Sequence, residues 1–139
     1  MSDRLRALFC DHLSLMRGKY LPASKIGDNE TRFCRSTFGV HFDRDLLPSP
    51  GSMMLEGLPD MELRWRAADI RDSWHAGTKI VLGDLYDTSG VPLELCPRGA
   101  LKRAIAAWEV RGLTPKIGIE LEAFAFQREA DGTLVPYDA

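Results

Sequence analysis

Two glutamates, Glu120 and Glu122, stand two positions apart in residues 118–126 (GIELEAFAF), and their spacing is the most chemically informative feature of the sequence. In extended backbone, residues i and i+2 share a face and lie about 6.6 Å apart along the strand. Two carboxylates held this way can each take a hard divalent cation, or can share one. Mg²⁺ and Mn²⁺ prefer such oxygen ligands and often bridge to phosphates, and a pair of metals a few ångströms apart is a usual means of handling phosphoryl groups. Phe124 and Phe126 continue the same face. Part of it is therefore expected to be covered, and a covered carboxylate without a partner is costly unless a cation resolves it. Taken alone, the pattern also describes an acidic strand face turned to water, where charges usually lie.

The elements that must position these glutamates are legible in the second half of the chain. Residues 61–67 (MELRWRA) alternate with strand period, and 78–86 (TKIVLGDLY) read as a second strand. A turn at 87–90 closes a hairpin onto 91–95. A helix is expected next. Pro97 suits its first position, Leu101, Ala104, Ile105 and Trp108 form one apolar stripe, Gly112 sits where a left-handed cap is wanted, and Pro115 prevents continuation. Residues 116–126 then form a strand, with Ile117, Ile119, Leu121, Ala123 and Ala125 on one face and Glu120, Glu122, Phe124 and Phe126 on the other. Asp131, Gly132 and Thr133 make a turn. The first half is less regular. Residues 3–9 read as a short helix or a lead-in to a strand, Gly18 marks a turn, and a hairpin strand lies near 19–21. Residues 27–60, punctuated by prolines and glycines, form a long loop of the kind that is functional or an interface element. This order gives an α+β fold class.

Bulk composition narrows the partners. The 139 residues carry a formal charge of −2, with 45% hydrophobic and 27% charged residues, a globular composition with no cationic footprint for nucleic acid or an anionic membrane. No apolar run approaches the roughly 20 residues of a membrane span, and the charged N-terminus lacks the apolar core of a secretory signal. Cys10, Cys34 and Cys96 are an odd number without CxxC spacing, which fits reduced thiols in a cytoplasmic protein. His12, His41 and His75 are not at metal spacing, and no GxSxG nucleophile motif is present. Trp65, Trp74 and Trp108 read as core or interface residues.

Several of these segments, in the same order, resemble the glutamine synthetase family. GIELEAFAF (118–126), following a helix that opens with Pro97-Arg98, is similar to the strand by which that family enters its catalytic domain. RGKYLPASKI (17–26) is similar to the hairpin of its small β-grasp domain, closest to the type I-like branch that joins glutamate to amines such as polyamines, and PDMELR (59–64) resembles the lead-in to its next strand. The resemblance implies a β-grasp-like N-terminal domain over residues 1–96 and the truncated beginning of a catalytic domain over 97–139. It implies an ATP-dependent ligase that activates the glutamate side-chain carboxylate as a γ-glutamyl phosphate and transfers it to ammonia or an amine, in a ring-forming homo-oligomer in the cytoplasm. Glu120 resembles the ligand of the metal that holds the nucleotide phosphates, and Glu122 a ligand of the metal on the glutamate side, with Mg²⁺ or Mn²⁺ as the cation. The small domain of such enzymes lends an acidic residue to the neighbouring subunit's ammonium site; Asp43 in VHFDRD is the best match, Asp45 the alternative, and a plain surface aspartate the competing reading. Two departures mark a divergent member. Cys96 replaces the usual acidic residue before Pro97, so the helix is expected to lose a good N-cap, and Ile119 and Leu121 flank Glu120 where many members carry prolines. On this reading the 139-residue chain has no ligase activity by itself. The competing expectations are a non-catalytic β-grasp-like interaction or assembly module, and an unrelated small α+β protein.

Overall fold

A computed structural model describes residues 4–137. Strands β1 (Arg4–Cys10) and β2 (Met16–Pro22) form an antiparallel hairpin, running in register from Cys10 opposite Met16 to Arg4 opposite Pro22. The first segment is thus a full strand rather than a short helix or lead-in. Leu5, Ala7 and Phe9 point into the core at strand period, while Leu8 is buried on the opposite face. That outward leucine gives the run a helix-like spacing with Leu5 and hides the alternation. Gly18 sits opposite Leu8 in mid-strand, not in a turn. A Cβ there would lie 2.3 Å from the Leu8 side chain and 2.4 Å from the Ala7 carbonyl oxygen, so the strand pair closes only over glycine.

The turn between these strands is held instead by Asp11, a fully buried carboxylate. It accepts hydrogen bonds from the backbone N–H of Leu13 and Leu15, each at 2.9 Å, and from Arg17 Nε at 2.6 Å. Burial pushes this carboxyl up, but the Arg17 bond and the two backbone donors outweigh it and hold the carboxyl below the ordinary value.

Strand β3 (Glu30–Cys34) lies inside the stretch expected to be loop, paired antiparallel with β4 (Asp60–Arg64). Its side chains are at most half-buried, so the strand signature in the sequence is weak. Strand β5 (Arg71–Asp72) is a short edge. Strands β6 (Thr78–Leu82) and β7 (Asp84–Asp87) replace the single strand expected over 78–86. β6 runs parallel to β1 in a four-stranded sheet ordered β2-β1-β6-β5, and β7 pairs with β4 in a three-stranded sheet ordered β3-β4-β7. The chain changes sheet at Gly83, where a Cβ would stand 2.6 Å from the Arg64 carbonyl oxygen. The expected partner strand at 91–95 is reduced to one bridge, Pro92 to Tyr86, because the carbonyl of Leu93 and the following prolyl turn lead directly into the helix.

The two sheets enclose one core. β1 contributes Leu5, Ala7 and Phe9, β4 gives Met61 and Leu63, β6 and β7 give Val81 and Leu85, and Phe38, Trp65, Leu93 and Cys96 close it. Helix α1 (Pro97–Glu109) then leaves this body. Its start corrects an expectation. Cys96 does cap the helix, its buried thiol accepting the Gly99 N–H at 3.4 Å. Its end matches expectation. Gly112 at φ +71° places the Gly112 N–H on the Glu109 carbonyl and the Leu113 N–H on the Trp108 carbonyl, the double closure of a glycine-capped helix. None of its residues is buried, and Leu101 and Trp108 of the apolar stripe are about half exposed. A hairpin of β8 (Phe126–Arg128) and β9 (Leu134–Pro136) follows, turning at Gly132 as expected.

Candidate functional site

Among the described residues, the backbone between α1 and β8 pairs with no strand. The strand expected over 116–126 is therefore not formed, apart from Phe126 at its end, which opens β8. The alternation that suggested it is present, but a strand exists only where a neighbour supplies its ladder of N–H and C=O partners. The consequence is wholesale exposure: Ile119, Leu121 and Phe124 are 85–92% accessible.

Glu120 and Glu122 lie in this bare segment, both exposed. Among the described residues neither makes a hydrogen bond or an ion pair. Their donor chemistry suits a hard divalent cation: two carboxylates, two positions apart, with no arginine or lysine competing for them. The set is incomplete as it stands, because no group of three metal-ligating side chains exists among the described residues.

Asp43 sits on an exposed turn in which the Arg44 N–H bonds the His41 carbonyl at 3.0 Å, flanked by a bridge between Val40 and Leu46. Its carboxylate accepts the Asp45 backbone N–H at 3.1 Å and lies 3.2 Å from His41 Nδ1. The Asp45 N–H, with help from His41, holds the Asp43 carboxyl below its ordinary range against a smaller desolvation effect. Asp45, the alternative, is exposed on the same turn and offers its backbone to His41. Among the described residues no hydrogen bond or ion pair joins Asp43 to Glu120 or Glu122. Among the described residues no three His, Cys, Asp or Glu side chains lie close enough to share a metal ion, so Asp43, Glu120 and Glu122 do not form one cluster.

What the structure does assemble was not singled out from sequence. An open cleft of about 460 Å³ runs between the outer face of the β3-β4-β7 sheet and α1. Arg64, Arg66, Arg98 and Lys102 line it, with Asp69 and Asp84 as counter-charges. Asp84 is shared, one oxygen taking Arg98 Nε at 3.0 Å and the other Lys102 Nζ at 2.6 Å. Arg66 is held in a two-point pair by Asp69 at 2.7 and 2.9 Å. The available sequence signal was the i,i+4 spacing of Arg98 and Lys102, which puts both on one helix face.

Layered in this way, a mixed sheet around a parallel β1–β6 centre with one long helix at its exit is an α+β, β-grasp-like domain. Its backbone is similar to that of a solved novel glutamine synthase homolog, with a TM-score of 0.66 at 16% identity, covering 80% of this chain and 28% of that one. A GmaS/ADP complex is matched with a TM-score of 0.59 at 21% identity, covering 78% of this chain and 23% of that one. These identities establish the fold alone. Sequence adds the rest. The chain is 33% identical over 132 residues to a glutamine synthetase of Methanosarcina mazei, covering 92% of this chain and 28% of the relative. It is 30% identical over 119 residues to a type-1 glutamine synthetase 2 of Dictyostelium discoideum, covering 81% and 22%. Over 49 residues it is 45% identical to a gamma-glutamylanilide synthase of an Acinetobacter species, covering 35% and 10%. No protein-family model matches the chain. Sequence and fold agree that this chain carries an N-terminal domain of the glutamine synthetase family. It spans less than a third of the length of these curated relatives.

Proposed function

We propose that the chain is the N-terminal part of an ATP- and divalent-metal-dependent ligase that joins the glutamate side-chain carboxylate to ammonia or an amine through a γ-glutamyl phosphate. What supports this reading is the exposed pair Glu120 and Glu122, two positions apart and, among the described residues, without hydrogen-bond or ion-pair partners, in a chain related over most of its length to glutamine synthetases. The likeness to a gamma-glutamylanilide synthase extends the acceptor class from ammonia to amines. Mg²⁺ or Mn²⁺ held there would offset phosphoryl charge during transfer. The protein's own contribution from this chain is to present two exposed carboxylates two positions apart, ready for further ligands from the rest of the protein. Asp43, kept ionised on its projecting turn, is a group that could attract an ammonium ion and accept its proton in a neighbouring subunit of a ring-forming homo-oligomer. The reading includes a cytoplasmic location; among the described residues no helix is long and apolar enough to cross a membrane.

With two metal donors and no third beside them, the 139-residue chain alone is expected to show no ADP formation dependent on glutamate and amine. The intact mass of the product in its native host is the first measurement. A mass several-fold above 15.6 kDa supports the ligase reading. In that larger product Glu120→Gln should lower amine-dependent ADP formation by about a hundredfold or more, since even outer-shell changes at metal sites cost roughly 10- to 100-fold. Wild-type activity in that variant would overturn the metal assignment. A mass of 15.6 kDa would favour the second reading, a non-catalytic assembly module, which the exposed apolar residues around Leu121 support.

A further inference from the structure

The cleft beside α1 has a charge pattern opposite to that of the chain. The protein carries a formal charge of −2, yet this cleft is lined by four cations and two carboxylates. A concave wall of one sign concentrates field and recruits the opposite charge. Much of the hydrogen-bonding capacity of these cations is unused. Arg98 spends only its Nε on Asp84, and among the described residues its two terminal nitrogens make no hydrogen bond. Lys102 gives Asp84 one of its three donors. Trp65, 93% buried and lining the same cleft, keeps its indole N–H buried with no acceptor, as does the Nε of Arg64.

We propose that this cleft binds the phosphate group of a small phosphorylated molecule. The claim is independent of the ligase reading, which it neither needs nor tests. Arg98 and Lys102 are four positions apart on one helix and grip the two oxygens of a single carboxylate. The two cations are thus held beside one another by Asp84, with donors left over for a compact anion that accepts from both. Arg64 is matched by Glu62 and Glu30 and Arg66 by Asp69, so Arg98 and Lys102, sharing Asp84, leave one positive charge to meet an anionic phosphate oxygen. The cleft volume, about 460 Å³, falls in the range of small-molecule sites and leaves room for the rest of the ligand.

The test is a titration of the 139-residue chain with inorganic phosphate, followed by ¹H–¹⁵N NMR of the Trp65 indole and the α1 amides. Succinate serves as the dicarboxylate comparison. A saturable shift confined to Trp65 and α1, with roughly millimolar affinity, is expected. Lys102→Gln should weaken it about tenfold through loss of a charge-assisted bond, while Arg111→Gln, an equal charge change at the far end of the helix, should leave it within about twofold. Arg98→Gln should also weaken it, and Lys102→Gln carries the test if that variant unfolds. No saturable shift up to about 10 mM phosphate overturns the proposal. So do equal losses in Lys102→Gln and Arg111→Gln, which would indicate diffuse attraction. Succinate binding as tightly as phosphate overturns the phosphate assignment.

Discussion

Three acidic residues of the β-grasp-like body, Asp11, Glu62 and Asp84, and the two of the segment after α1, Glu120 and Glu122, are in opposite situations. In the body, Asp11 is buried against Arg17 and two backbone donors, Glu62 is buried against Arg64 at 2.5 Å and Arg32 at 3.3 Å, and Asp84 ties two cations of α1 to the sheet. Each is consumed by the fold. Glu120 and Glu122 stand in water without such partners. The apolar side chains divide the same way: Leu63 is 0% accessible and Leu121 is 92% accessible. A carboxylate that already has its cation is a poor candidate for chemistry, and an exposed one without a cation is a better one. The contrast marks Asp11, Glu62 and Asp84 as structural acids and leaves Glu120 and Glu122 among the exposed acids available as ligands.

The largest effect expected from this contrast is on stability. Leu63→Ala should destabilise the chain by about 2–5 kcal/mol, as a fully buried leucine loses transfer energy and leaves a cavity. Leu121→Ala should stay within about 0.5 kcal/mol. Urea unfolding measures both. Leu121→Ala should act elsewhere, lowering self-association seen by analytical ultracentrifugation, since exposed apolar residues on an unpaired extended segment invite pairing between chains. A large loss of stability in Leu121→Ala would show that the segment is packed in solution and would erase the contrast.

Asp11→Ala comes next, at about 2–3 kcal/mol, because it strands a partly buried arginine and two turn N–H groups. The same carboxylate sets a pH dependence. Its folded value lies below its unfolded one, so its contribution is fully present above the unfolded value of about 3.9 and is lost as pH falls through the folded value. Comparing unfolding midpoints of wild type and Asp11→Ala between pH 7 and pH 2 should show the gap closing only below about pH 4. A gap that closes near pH 6 would assign the effect to another group.

Legibility in the sequence followed how much of each element's signal is local. The helix was plain because Pro97, its apolar spacing and Gly112 are all written in consecutive residues, and the turn at Gly132 likewise. Strand β4 was plain because one of its faces is buried and the other charged. Strand β1 was not, since Leu8 is buried on its outer face, and β3 was not, since one of its faces is exposed and the other only partly buried. The break between β6 and β7 depends on the Arg64 carbonyl crowding Gly83, a contact between residues distant in sequence. The run around Glu120 was legible as an alternating pattern, but a pattern does not provide the neighbouring strand. The cationic cleft could not be read at all from one stretch, because Arg64 ends β4 and Arg66 follows it, while Arg98 and Lys102 belong to α1.

The smallest effect is the one that bears most directly on chemistry. Converting both Glu120 and Glu122 to Gln should change stability by less than about 0.5 kcal/mol, since neither has a partner to lose. Mn²⁺ binding is where the pair should matter. With only two donors the affinity of the wild-type chain is expected to be weak, roughly millimolar, yet the paramagnetic ion should broaden backbone resonances around 118–124 selectively. The double variant should lose that broadening and keep the rest of its spectrum. Asp43 provides the internal comparison, because it too is an exposed carboxylate, but its oxygen is already engaged by the Asp45 N–H and lies beside His41. If Mn²⁺ broadens residues 41–45 as strongly as 118–124, exposure alone attracts the ion and the spacing of Glu120 and Glu122 has no special claim on it. If broadening centres on 118–124, the two-position spacing is selecting the cation before any further ligand is supplied.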